Sequence, residues 1–236
     1  MSALRILQLF PELTNVNGDA ENALVLARRL QWAGIDAEVV PLAAGDPVPT
    51  AAPAAVFLGS GTDSSLVRTL AALDGIRGAL SEWLAADIPL LAVGTGLELL
   101  GRRIDLPEGP LEGLGMVPGE ASFLPARVAG DLVVDSVWGR LLGYENHGRG
   151  FALDSGVTPL GRVAAGTGNG DGADGVALGS LYGTHLHGPV LARNPAMAMA
   201  FVAAAAPGTG VDAYARGRAD GVADAINAAT LRRLQL

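Results

Sequence analysis

Leu90-Leu91-Ala92-Val93-Gly94-Thr95-Gly96-Leu97-Glu98-Leu99-Leu100-Gly101 is the stretch that decides the fold. Residues 88–93 are an unbroken apolar run, the pattern of a strand buried on both faces. The run breaks at Gly94-Thr95-Gly96 and turns into a short helix over 97–100. A sharp strand-to-helix turn is where α/β folds present a nucleophile. Small neighbours let the backbone take a strained shape, and the helix start favours developing negative charge. Any such turn carries glycines, so the turn alone assigns no chemistry.

Working outward, a helical stretch over 73–86 leads into this strand, and 54–58 reads as an earlier strand ending in Gly59-Ser60-Gly61. Residues 4–10 and 36–42 read as two more strands. Between them Leu24, Ala27, Leu30 and Ala33 recur at helical spacing up to Gly34, a C-terminal stop. Strand and helix alternate. The right-handed crossover rule then predicts an α/β fold with a mostly parallel sheet and helices on both faces. Ligands sit at the carboxyl ends of such strands, here the loops after Phe10, Leu58 and Val93.

Half of the 236 residues are apolar and 17% are charged, which suits one large domain with a sizeable core. Residues 1–206 read as that domain, and 207–236 as a helical tail packing on it or on a partner. All 16 basic residues are arginine, so no lysine is present for a Walker-type phosphate site. A net charge of −8 argues against nucleic acid as a main partner. The absence of cysteine excludes disulfides, thiolate metal sites and a cysteine nucleophile. Residues 1–10 lack the flanks of a signal peptide, and 195–206 is too short to span a bilayer, so a cytoplasmic location is expected.

After Gly101 the chain becomes glycine-rich, with short strand-like runs over 131–135 and 176–181. Gly166-Thr167-Gly168-Asn169-Gly170-Asp171-Gly172 mimics a dinucleotide fingerprint, but no helix follows it, and a hairpin loop is the expectation. His185 and His187 lie two apart, a spacing that in a strand puts both on one face. No carboxylates of matching spacing stand nearby, so no metal is expected. A buried structural histidine is the plain alternative.

Two motifs reinforce the turn. Gly143-Tyr144-Glu145-Asn146-His147-Gly148 is followed about forty residues on by Gly183-Thr184-His185-Leu186-His187-Gly188-Pro189. Together they resemble the class I glutamine amidotransferases of the CobB/CobQ type. Within these they resemble the GatD group, the glutaminase subunits of bacterial lipid II isoglutaminyl synthase. The resemblance also covers Asn15-x-x-Gly18-Asp19-x-x-Asn22, the Gly59-Ser60-Gly61-x-Asp63 turn and Gly113-Leu114-Gly115, and runs from about residue 4 to residue 195.

The resemblance implies a flavodoxin-like class I amidotransferase fold, no cofactor and L-glutamine as ligand. It also implies a heterodimer with a Mur-ligase-like (MurT-type) synthetase, which amidates the D-glutamate of lipid II in peptidoglycan synthesis. His187 matches the histidine that takes the thiol proton. Arg127 matches an arginine that holds the substrate, and a guanidinium suits an α-carboxylate through two hydrogen bonds. The backbone from Gly59 to Gly61 matches the turn that supplies oxyanion-hole amides.

The nucleophile position falls on Gly94, which has no side chain to attack with. Other positions depart too: 59–64 lacks the family's Gln-Asp-Arg-Glu-Gln run, and Leu97-Glu98 replaces a Tyr-Gln pair. Thr95 is the adjacent hydroxyl, but an alkoxide is far harder to form than a thiolate. Pro189 stands where other class I enzymes carry the acid that orients the histidine, so that acid has to come from elsewhere, a partner subunit being one source. The resemblance with Gly94 in place predicts a subunit without glutamine hydrolysis. Two alternatives stay open: a binding or sensing module for glutamine or another amino acid, and a glutaminase whose cysteine has been replaced in this sequence.

Overall fold

A computed structural model describes residues 3–209 and 217–236; residues 1–2 and part of the expected tail, 210–216, lie outside them. The first half runs β1 (Leu4–Leu9), α1 (Glu21–Trp32), β2 (Ala37–Leu42), β3 (Ala55–Leu58), α2 (Leu66–Gly75), α3 (Arg77–Ala85), β4 (Leu90–Val93) and α4 (Thr95–Leu100). Then come β5 (Arg103–Ile104), β6 (Leu111–Glu112), the long pair β7 (Gly119–Ser136) and β8 (Gly139–Leu153), β9 (Gly161–Ala165) and β10 (Ala173–Asp174). The chain closes with β11 (Val176–Leu178), β12 (Leu181–Thr184), α5 (Val190–Arg193), α6 (Pro195–Ala205) and α7 (Arg218–Leu234).

The first sheet has the order β11-β12-β4-β3-β1-β2, parallel throughout except for β11 at the edge. Its central strands β3 and β4 are apolar on both faces because helices cover both. Ile6, Phe57, Leu91 and Val93 pack toward α1 and α6. Their neighbours Leu7, Val56, Leu90 and Ala92 pack toward α2, α3 and α4. Each fully buried leucine or isoleucine contributes about 1.5–3 kcal/mol. Register then fixes where chemistry can sit. Leu9 pairs with Leu58, Leu58 with Ala92, and Val93 with Thr184. The residues that follow, Phe10, Gly59, Gly94 and His185, therefore leave the sheet along one edge.

The second sheet is built on the β7/β8 hairpin, with β9, β10, β5 and β6 beside it. Its ladder breaks between Phe123 and Val128, where residues 124–127 stand opposite Gly148 alone. Pro125 cannot donate to a ladder, and the wide bulge swings this segment toward the open edge of the first sheet. Leu132, Val134 and Leu141 join the α1–α6 core and weld the two sheets together.

Three local readings change. The helical stretch over 73–86 is two helices, α2 and α3, broken at Ile76; Gly75 and Gly78 flank the break and weaken helix propensity there. The run over 176–181 is two antiparallel strands around Gly179, which sits at φ +59°. The histidines do not share a strand face, because β12 ends at Thr184. The glycine-rich segment 166–172 is the loop of the β9/β10 hairpin.

Helix α7 lies against the domain. Arg29 Nη1 and Asp220 Oδ1 approach to 2.7 Å with both side chains buried. The approach falls short of hydrogen-bond geometry, so the attraction is Coulombic. Arg193 Nε donates to Asn227 Oδ1 at 2.9 Å, and Asn227 Nδ2 donates to the Arg193 carbonyl at 2.7 Å. Among the described residues no helix is long and apolar enough to cross a membrane.

Candidate active site

Gly94 ends β4 and starts α4 at φ +54°, ψ −121°. A side chain there is strained, and it would also be crowded. A Cβ would stand 2.7 Å from His187 Cε1 and 2.8 Å from Ser60 Oγ. Gly96 has a different reason to be glycine: a Cβ would meet the Gly59 carbonyl oxygen at 2.6 Å, so α4 runs directly against the end of β3.

His187 is 1% exposed and faces this turn. Its Nδ1 lies 2.9 Å from Asp19 Oδ2 and 3.2 Å from Oδ1. The carboxylate accepts, so Nδ1 carries its proton and Nε2 is the ring nitrogen left without this partner. That Nε2 is buried with no hydrogen-bond partner among the described residues. Asn17 and Tyr144 frame the ring: the His187 N–H donates to the Tyr144 carbonyl at 2.8 Å, and the Tyr144 hydroxyl donates to the Asn17 carbonyl at 3.0 Å.

Opposite His187, the turn after β3 and the start of α4 bond to each other. The Gly61 N–H donates to Thr95 Oγ1 at 2.7 Å, and the Thr95 N–H approaches Ser60 Oγ at 3.4 Å. The Ser60 carbonyl accepts from the Val16 N–H at 2.8 Å, which ties the turn to the loop after β1.

Gly94, Thr95, Ser60, Gly61, Asn17 and His187 line a cavity of about 410 Å³. Arg127 stands at its mouth on the β7 bulge, its Nη2 donating to the Asn146 side-chain oxygen at 2.8 Å. On another wall Arg149 bridges two carboxylates. It donates from Nη2 to Asp63 Oδ1 at 2.7 Å and from Nε to Glu98 Oε2 at 2.8 Å. The hydrogen bond from Arg149 holds the Asp63 carboxyl below its ordinary range. Complete burial pushes Glu98 the other way, above its ordinary range, although Arg149 opposes the rise.

Residues 10–195 match the family model of the CobB/CobQ-like glutamine amidotransferase domain. The chain belongs to the CobB/CobQ-like glutamine amidotransferase family. It is 31% identical over 198 residues to the lipid II isoglutaminyl synthase (glutamine-hydrolyzing) subunit GatD of Staphylococcus aureus, covering 82% of this chain and 81% of that protein. The subunit of the same name from Streptococcus pneumoniae is 29% identical over 210 residues, with 86% and 80% covered. A solved glutamine amidotransferase from Thermotoga maritima shares the fold, with a TM-score of 0.54 at 17% identity over 99% of this chain and 98% of that one. The class I glutamine amidotransferase-like α/β fold is therefore the architecture of this chain.

For this CobB/CobQ-like chain, the structure gathers four of the residues singled out in the sequence. Gly94, His187, Gly61 and Arg127 line one cavity. Gly59 lies outside the lining, pressed against the Thr14 carbonyl. Asp19 was missed as a partner of His187. It sits in the quoted Asn15–Asn22 stretch, yet nothing local to the histidine signals it. Asp19 of this chain, not position 189, is the acid that meets His187 Nδ1. His185 belongs to a separate buried cluster, its Nδ1 3.0 Å from Asp174 and its ring 4.4 Å from that of His147. Among the described residues no group of His, Cys, Asp and Glu is arranged to hold a metal ion.

Proposed function

We propose that this chain is a GatD-type subunit that pairs with a Mur-ligase-like synthetase in amidating lipid II, and that it does not itself hydrolyse glutamine. The observation that carries the reading is the Gly94 turn. Its φ of +54° and the His187 ring 2.7 Å from a would-be Cβ support reading this turn as the place where a nucleophile would meet its base. Glutaminase chemistry needs a thiolate to attack the side-chain amide, form a thioester and release ammonia. Glycine supplies no attacking atom, and losing a nucleophile removes several orders of magnitude in rate. The subunit's contribution is then to hold the synthetase and to shape a route for free ammonia. The test is ammonia release from L-glutamine by the purified chain, alone and with the synthetase. No release above background is expected, together with co-purification of the two chains. Robust release, abolished by Thr95→Ala, would overturn the reading.

A second reading, binding of glutamine or another amino acid without turnover, is favoured by one observation. The cavity keeps a cation at its mouth, Arg127, and a buried ring nitrogen with no partner among the described residues, His187 Nε2, at depth. Calorimetric titration with L-glutamine and L-glutamate separates the two: saturable binding without a synthetase in the complex supports the second.

A further inference from the structure

Resting on the reading that Gly94 stands at the nucleophile position, we infer that the anion-stabilising half of the site is closed as well, by the hydroxyls of Ser60 and Thr95. A tetrahedral intermediate at this turn needs backbone N–H groups aimed at its oxygen. One comes from the residue after the nucleophile and one from the loop of a neighbouring strand. Here those groups are the N–H of Thr95 and the N–H of Gly61. Neither is open. Gly61 N–H is held by Thr95 Oγ1 at 2.7 Å, a full-strength hydrogen bond, and Thr95 N–H faces Ser60 Oγ at 3.4 Å. The two hydroxyls also lie 3.4 Å from each other, so they fill the cradle as a pair.

A second tie keeps it shut. Asp63, two positions beyond Gly61, takes both terminal nitrogens of Arg149, at 2.7 and 3.2 Å. The same guanidinium holds Glu98 of α4 at 2.8 Å. Arg149 thus clamps the β3 turn to α4, the two segments that Thr95 and Gly61 join. The buried Arg149 and Glu98 make that clamp costly to release. Loss of the nucleophile and closure of the cradle are therefore separate changes, and restoring a thiol reverses only the first.

The test compares Gly94→Cys with Gly94→Cys carrying Ser60→Gly and Thr95→Gly. Iodoacetamide reads thiolate reactivity and needs no carbonyl-oxygen stabilisation, so both variants are expected to alkylate at rates within about twofold. Ammonia release from L-glutamine passes through the tetrahedral anion. The triple variant is expected to be at least about tenfold faster, a conservative figure against the 10²–10³ attached to one such donor. Equal release from both variants, including none from either, overturns the inference. Release by the unaltered chain would instead remove the reading beneath it. A second measurement needs no thiol: Thr95→Val deletes the acceptor of Gly61 N–H in nearly the same volume. Amide hydrogen exchange at Gly61 is then expected to speed up by at least about tenfold, and unchanged exchange counts against the closed cradle.

Discussion

At the scale of single residues, Gly94 and His187 fix each other's surroundings. Gly94→Ala puts a Cβ at a φ that L-residues rarely adopt and against the His187 ring. Backbone strain of this kind costs about 1–3 kcal/mol, so a matching loss of stability is expected in urea denaturation. An unchanged midpoint would show that His187 and Ser60 can step aside. Asp19→Ala removes the acceptor of His187 Nδ1 and is expected to cost about 1–3 kcal/mol, with the ring proton no longer fixed on Nδ1 in ¹⁵N spectra. A ring that keeps its tautomer would make Asp19 irrelevant to it. The glycine and histidine were legible in the sequence because each sits in a compact local motif. Asp19 was not, because its contact with His187 spans 168 positions and only the folded sheet brings those loops together.

Elements bring these residues within reach, and the Asp63–Arg149–Glu98 bridge is where β8, α4 and the turn after β3 meet. Its two acids titrate in opposite senses. Glu98 binds its proton more tightly when folded, so its share of stability is present in acid and is lost as pH rises through the raised folded value. Asp63 has its value lowered, so its share is present above about pH 4 and is lost as pH falls through the folded value. Urea midpoints measured across pH should therefore lose their decline toward neutral in Glu98→Gln and soften at the acid end in Asp63→Asn. Identical curves for both variants and the parent would mean that the bridge does not titrate with folding. Arg149→Leu strands Glu98 in the core and is expected to cost about 3–5 kcal/mol at neutral pH. Strands β3 and β4 could be read in the sequence because they are continuous buried apolar runs, and β1 and β2 because their apolar residues stand between clear breaks. Of the long β7 only the run over 131–135 could be read, since Pro125 and the exposed residues before it give neither alternation nor an apolar run.

The whole molecule depends on how its terminal helix is docked. Helix α7 could be anticipated from composition, but its seat could not, because Arg29 and Asp220 read as ordinary surface charges until both are found buried. Asp220→Ala leaves Arg29 charged and covered, and about 3–5 kcal/mol of destabilisation is expected in thermal melts. A melt within error of the parent would place α7 outside the cooperative unit. The crowded turn at Gly94 bears on descent as well. A single-base change converts two of the four glycine codons to a cysteine codon, so on the proposed reading a reversion to the thiol lies one base away from those two. In this chain such a revertant meets a strained backbone, an imidazole already in its space, and amides already taken by Ser60 and Thr95. It would bear the full destabilisation and gain no turnover. On that reading a single reversion gives selection nothing to act on.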